Sequence, residues 1–181
     1  QEKNNLQLRR DSDLSIKFSG LITKKILSNE LIKSFALPKK IHGTIFSKST
    51  SGMKYGRHID NAYMSSGRAD LSFTVFLNCK KKYEGGALSI QGLNSEEKFK
   101  LDAGEIIIYP STYLHSVEKI IDGERLVFIG WIESYVKSIE EREYLFDLDA
   151  AARSLLSKYG RSEEVDLIYK SYSNFLRRLG N

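Results

Sequence analysis

The chain has one cysteine, Cys79, among 181 residues, so it can form no internal disulfide and no thiolate cage for a metal. Any metal site must be built from histidine and carboxylate. No run approaches the roughly 18 to 20 consecutive apolar residues of a membrane span, and no basic start leads into an apolar stretch with a cleavage site. These absences predict a soluble, intracellular protein without membrane contact. Internal repeats and low-complexity blocks are also lacking. With 41% apolar and 28% charged residues, the composition is that of one globular domain and excludes a disordered chain. The excess of 28 Lys and Arg over 23 Asp and Glu gives +5, far short of the dense basic stripe of a nucleic-acid binder. The chain opens at Gln1 rather than methionine, so a preceding segment is expected outside this sequence.

What is present changes period near Val136. Short apolar or alternating runs recur at residues 41–46, 70–77, 87–90, 105–109, 114–121 and 125–131. Between them lie Ser49-Thr50-Ser51-Gly52, Gly85-Gly86, Ala103-Gly104 and Asp122-Gly123. Many short strands with glycine-marked turns fit a sandwich or a jelly-roll barrel, and an immunoglobulin-like sandwich shares that pattern. Farther on, Leu145, Leu148, Ala152, Leu155 and Tyr159 are spaced by three or four before Gly160, which predicts one amphipathic helix. Ser162 can cap a second helix whose stripe is Val165, Ile168, Tyr172, Phe175 and Leu179. Residues 21–35 predict another, stopped before Pro38. The reading is mainly β with helices, an α+β chain: residues 1–136 form a β core with N-terminal elements, and residues 137–181 a helical pair packed on the same domain. The helices are expected to buttress one face of the sheet.

The chain has three histidines. His58 precedes Asp60 by two residues, and residues two apart on an extended strand share a face. His115 lies 57 residues later in another alternating run, where folding can bring it to the same site. Two histidines and one carboxylate on one side of a metal leave the opposite positions open, which suits non-haem Fe(II) oxygen chemistry. A lone His-x-Asp pair is weak evidence, because surface strands carry such pairs by chance. Arg125 strengthens it: a buried arginine needs an anion, and a guanidinium grips a carboxylate such as the distal end of 2-oxoglutarate with two prongs. If residues 114–131 form a hairpin, a two-residue turn at Asp122-Gly123 would point Arg125 away from His115. A three-residue loop over 121–123 would instead put His115, Arg125, Val127 and Ile129 on one face, with His115 opposite Ile129 and Arg125 roughly 13 Å along the strand.

The runs Gly52-Met53-Lys54-Tyr55-Gly56-Arg57-His58-Ile59-Asp60-Asn61-Ala62, Tyr83-Glu84-Gly85-Gly86-Ala87-Leu88, Tyr109-Pro110-Ser111-Thr112-Tyr113-Leu114-His115 and Gly123-Glu124-Arg125 resemble those of the PKHD-type hydroxylases. These are iron and 2-oxoglutarate dioxygenases related to prolyl 4-hydroxylases. The likeness continues through Trp131-Ile132-Glu133-Ser134 to Tyr144-Leu145-Phe146-Asp147-Leu148-Asp149, covering most of the chain. It implies a double-stranded β-helix, a jelly-roll or cupin-like core, with His58, Asp60 and His115 as the catalytic iron ligands and Arg125 as the anchor of the 2-oxoglutarate carboxylate. The implied reaction is hydroxylation of a substrate C–H bond with release of succinate and carbon dioxide. L-ascorbate (vitamin C) is a candidate reductant of oxidised iron. The substrate is a peptide, a protein or a small molecule, with peptidyl proline favoured by the likeness. Ser49 stands where the family often has a tyrosine about nine residues before the first iron histidine, and the family's usual helical segment before Asn4-Asn5-Leu6-Gln7-Leu8 is missing.

Other residues invite plainer readings. An unbroken strand turns Tyr55, three residues before His58, to the opposite face. Thr74 and Tyr109 could offer hydroxyls to the cosubstrate but read first as packing. His42, beside Lys39 and Lys40, reads as a surface residue, Gly85-Gly86 as a bend or bulge, and Lys80-Lys81-Lys82 as a solvated loop. Two rival functions share the pattern. One is a nucleic-acid oxygenase of the same fold, supported by charge alone; the other is a non-enzymatic, cupin-like metal- or ligand-binding module in which Arg125 has no ligand.

Overall fold

A computed structural model describes residues 4–92 and 94–181. The elements run β1 (Leu6–Gln7), α1 (Asp13–Leu27), α2 (Glu30–Ala36), β2 (Pro38–Thr50), β3 (Tyr55–His58), β4 (Tyr63–Met64), β5 (Gly67–Arg68), β6 (Leu71–Phe76), β7 (Tyr83–Gly85), β8 (Leu88–Gln91), β9 (Glu96–Phe99), β10 (Ile106–Pro110), β11 (His115–Val117), β12 (Ile120–Ser134), α3 (Ile139–Tyr159) and α4 (Glu163–Leu179). They fall into two compact units, Gln1–Thr23 with Ile41–Glu133, and Lys24–Lys40 with Ser134–Asn181. Among the described residues no helix is long and apolar enough to cross a membrane.

The first unit is the mainly antiparallel β part of this α+β fold. One sheet has the order β1-β2-β12-β6-β10, with β7 added on β12, and a second has the order β3-β11-β8-β9. β6 is buried at all six positions because β12 and β10 flank it and both its faces are covered. Its alternation sets the polarity of the interior, with Ser72 and Thr74 turned towards a cavity between the sheets.

The hairpin expected over 114–131 does not form. β11 belongs to the four-stranded sheet and β12 to the other, so His115 pairs with His58 and Ile90 rather than with Ile129. Asp122 and Gly123 lie inside β12, opposite Glu84 and Tyr83, and the register slips by one residue between Ile120 and Asp122. Gly123 has φ +80°, and a Cβ there would sit 2.2 Å from the Lys82 carbonyl oxygen. Its glycine therefore serves a bulge against β7, not a turn. The bulge reading of Gly85 agrees, since that residue is the partner of Ile120 where the slip begins. The alternation of Arg125, Val127 and Ile129 survives along β12 itself, and all three line the cavity.

The helix expected over 21–35 is two helices. Asn29 interrupts it: its side chain accepts from the Ile32 N–H and caps α2, which a short polar side chain does better than it continues a helix. His42, expected at the surface, is buried. Its Nε2 donates to the Arg68 carbonyl at 2.8 Å and its Nδ1 meets the Ser66 hydroxyl at 2.9 Å, a polar cradle that a lone histidine in the sequence does not reveal.

In the second unit Ser138 and Ser162 cap α3 and α4 by accepting from the Glu141 and Val165 N–H groups. Leu37, Val136 and Leu145 form a core packed by Tyr172, Leu176 and Leu179. Leu176 takes the place expected for Phe175, which is exposed, as is Tyr159.

Candidate active site

The antiparallel pairing of β3 with β11 makes His58 and His115 direct cross-strand partners, and such partners have Cβ atoms within about 5.5 Å. Their rings lie 4.2 Å apart, centroid to centroid. His58 Nδ1 donates to the Gly56 carbonyl at 2.8 Å and His115 Nδ1 to the Tyr113 carbonyl at 3.0 Å. A carbonyl only accepts, so both neutral rings carry their proton on Nδ1 and their lone pair on Nε2. Those Nε2 atoms face Asp60, at 4.0 Å from Oδ1 for His58 and 3.7 Å from Oδ2 for His115. One donor atom from each of the three residues can be chosen so that all lie within 4.8 Å of one another. A divalent cation that accepts imidazole and carboxylate, with positions left open, fits this set.

Asp60 does not owe its position to strand alternation, because β3 ends at His58. Its Oδ2 instead accepts from the Ser72 hydroxyl at 2.5 Å, a bond from a residue far along the chain that no local motif announces. Tyr55 also departs from expectation. Between His115 and Val117 the partner strand spends one extra residue, so Tyr55 rather than residue 56 stands opposite Val117. This bulge returns Tyr55 to the face of His58, where the two rings stack at 3.7 Å and Tyr55 lines the cavity.

The cavity holds about 250 Å³, at the small end of ligand pockets. Arg125 projects into it from β12 and is only 4% exposed. Its Nε has no hydrogen-bond partner among the described residues, nor have the Tyr83 hydroxyl and the Trp131 indole N–H. Burial holds the Arg125 pKa below its ordinary value, with Tyr83 and Tyr109 pulling the other way. Such a cation lacks the anion that would satisfy it. Gly86 makes room for its stem: a Cβ there would meet Arg125 Cδ at 3.3 Å and Ile120 Cδ1 at 2.2 Å. Thr74 and Tyr109, read as packing, both line the cavity. Burial, helped by Asp60, pushes the Tyr109 phenol far above its usual range, so it stays a hydroxyl. Ser49, Ser47 and Asn5 line the wall where the usual tyrosine is missing, with Asn5 Nδ2 donating to Ser47 Oγ at 2.7 Å.

Residues 44–133 match the family model of the 2OG-Fe(II) oxygenase superfamily. A PKHD-type hydroxylase of Prochlorococcus marinus strain MIT 9215 is 76% identical over 178 residues, covering 98% of this chain and 80% of the relative. One from strain MIT 9515 is 71% identical over 179 residues, covering 99% and 81%. Among solved structures, a Pseudomonas putida prolyl-4-hydroxylase superposes with TM-score 0.53 at 19% identity over 72% of this chain and 71% of its own. A Trichoplax adhaerens prolyl hydroxylase in complex with a peptide fragment of the hypoxia inducible factor oxygen degradation domain gives 0.51 at 16% identity, covering 78% and 64%. The remote structures agree on the fold; the close relatives decide the family. The chain belongs to the 2OG-Fe(II) oxygenase superfamily and, within it, to the PKHD-type hydroxylases, enzymes that use Fe(II) and 2-oxoglutarate to hydroxylate a C–H bond.

Proposed function

We propose that His58, Asp60 and His115 hold the Fe(II), that Arg125 receives the distal carboxylate of 2-oxoglutarate, and that the hydroxylated C–H bond belongs to a peptide, at a prolyl residue. The observation that carries this reading is the opening of two imidazole lone pairs, one carboxylate and one buried, unpaired guanidinium Nε into a single small cavity. The bound iron and cosubstrate supply the oxidising power, with decarboxylation to succinate and carbon dioxide coupled to hydroxylation. The protein's part is to bind, orient and exclude water. Arg125 meets a carboxylate where little water competes, so the ion pair is strong and geometrically selective. Thr74 and Tyr109 add neutral hydroxyls to that wall. Tyr55 and Trp131 present flat apolar surfaces suited to a saturated ring, and the unpaired Trp131 N–H offers a donor to a substrate carbonyl.

An anaerobic titration of the metal-free protein with Fe(II) and then 2-oxoglutarate tests the site. The visible charge-transfer band of the chelate should form in wild type, and Arg125→Ala should need at least about 30-fold more 2-oxoglutarate, the lower end of what truncating one partner of a buried charge pair produces. Iron bound without a band in wild type would overturn the cosubstrate assignment. Succinate release stimulated by proline-containing peptides, and not by matched alanine peptides, tests the acceptor. Adding L-ascorbate tests whether turnover is prolonged by re-reduction of the iron.

A further inference from the structure

Asp60 is a ligand candidate without support from its own strand. β3 ends two residues before it, and Ile59 between them is 51% exposed. Its orientation is set from β6 and the end of β10. Ser72 Oγ lies 2.5 Å from Asp60 Oδ2 and 2.7 Å from Ser111 Oγ, and both serines are 3% exposed. A carboxylate only accepts, so the Ser72 proton is committed to Asp60, and Ser111 must donate to Ser72. The chain of hydroxyls therefore has one direction. Its base is rigid, because Ser72 sits in register between Tyr109 and Trp131 on a central strand, and the Ser111 N–H donates to the Asp70 carbonyl at 3.1 Å.

We propose that this Ser111–Ser72–Asp60 relay makes Asp60 bind metal through Oδ1 alone and so keeps open the coordination position that the cosubstrate needs. The proposal rests on the reading of His58, Asp60 and His115 as the iron site. Its logic is a count of positions. An octahedral ion held by three protein atoms has three positions left, and a two-point chelate together with one further ligand requires all of them. A carboxylate offering both oxygens, as carboxylates readily do to larger cations, would close one. Oδ2, held by a short charge-assisted O–H···O bond, must be released before that can happen. Ser72 and Ser111 are thus positioning residues for the cosubstrate, acting through Asp60.

Anaerobic titrations of wild type, Ser72→Ala and Ser111→Ala separate this role from simple stiffening. The first readout is Fe(II) affinity by calorimetry; the second is the 2-oxoglutarate concentration that half-saturates the charge-transfer band of Fe(II)-loaded protein. Ser72→Ala is expected to bind Fe(II) within a few-fold of wild type but to need roughly 10- to 100-fold more 2-oxoglutarate, the usual scale of outer-shell effects. Ser111→Ala should shift the same band several-fold. A relay that merely stiffened Asp60 would lower Fe(II) affinity and leave 2-oxoglutarate binding to the loaded protein unchanged, and that result overturns the proposal. If Ser72→Ala fails to fold, Ser111→Ala decides alone, an unshifted band counting against the relay. A wild type that binds no Fe(II) overturns the site reading and the relay with it, whereas an iron-competent wild type with an indifferent Ser72→Ala overturns the relay only.

Discussion

Arg125 shows what a site costs the protein that carries it. The guanidinium is withdrawn from water, its Nε is unpaired, and its nearest compensation is the face of Phe76 at 5.5 Å from its central carbon. Desolvating a cation with no anion opposes folding, and replacing a buried charge by an apolar side chain of similar volume is often neutral or stabilising by about 1 kcal/mol or more. Arg125→Met is therefore expected to melt at or above the wild-type temperature without ligand and to lose the stabilisation that 2-oxoglutarate gives the Fe(II)-loaded protein. Thermal unfolding with and without cosubstrate checks both halves, and a Met variant clearly less stable than wild type without ligand would mean that the arginine already has its partner. At this scale the sequence is informative in part. His58, Asp60, His115 and Arg125 are legible because their side-chain chemistry is scarce and specific. Tyr55, Ser72 and Trp131 are not, because tyrosine, serine and tryptophan on a strand are ordinary packing residues until a bulge or a long-range hydrogen bond gives them a direction.

Elements were legible where their cause is local. The two C-terminal helices follow from a period of three to four and a serine at each start, both read within one turn of chain. Strand partners follow from contacts dozens of residues apart, and alternation reports a face without naming a sheet. The expected hairpin failed for that reason: β11 finds β3 and β8, while β12 finds β2, β6 and β7. Asp122-Gly123 carries the composition of a turn, yet its glycine answers a different demand. Gly123→Ala would force φ +80° on a residue with a side chain and drive its Cβ to 2.2 Å from the Lys82 carbonyl oxygen. A strained left-handed residue costs about 1–3 kcal/mol, so the variant should melt several degrees lower by calorimetry, at roughly 2–4 °C per kcal/mol for a chain of this length. An unchanged melting temperature would show that the β7–β12 bulge is soft.

At the scale of the whole molecule, the ligand-free protein is not its most stable form. All four proposed ligand-contacting residues lie in the unit that contains Ile41–Glu133, and each is polar and largely withdrawn from water, with Asp60 11% exposed at its side chain. A protein that keeps such groups ready, rather than burying apolar side chains in their place, forgoes stability that binding restores. Mass action sets the scale: a ligand present at 100 times its Kd, with no affinity for the unfolded chain, adds about 2.7 kcal/mol. At roughly 2–4 °C per kcal/mol, saturating Fe(II) should raise the melting temperature by about 5–10 °C under anaerobic conditions, and 2-oxoglutarate should add a further rise only once metal is present. The order matters, because two of the cosubstrate's contacts are supplied by the metal and the guanidinium alone supplies the third. A chelator should therefore abolish both increments together, while Arg125→Met should keep the first and lose the second. A cosubstrate-dependent rise in metal-free protein would instead place the binding energy in Arg125 and its hydroxyl neighbours, making the cavity a diacid site first and a metal site second.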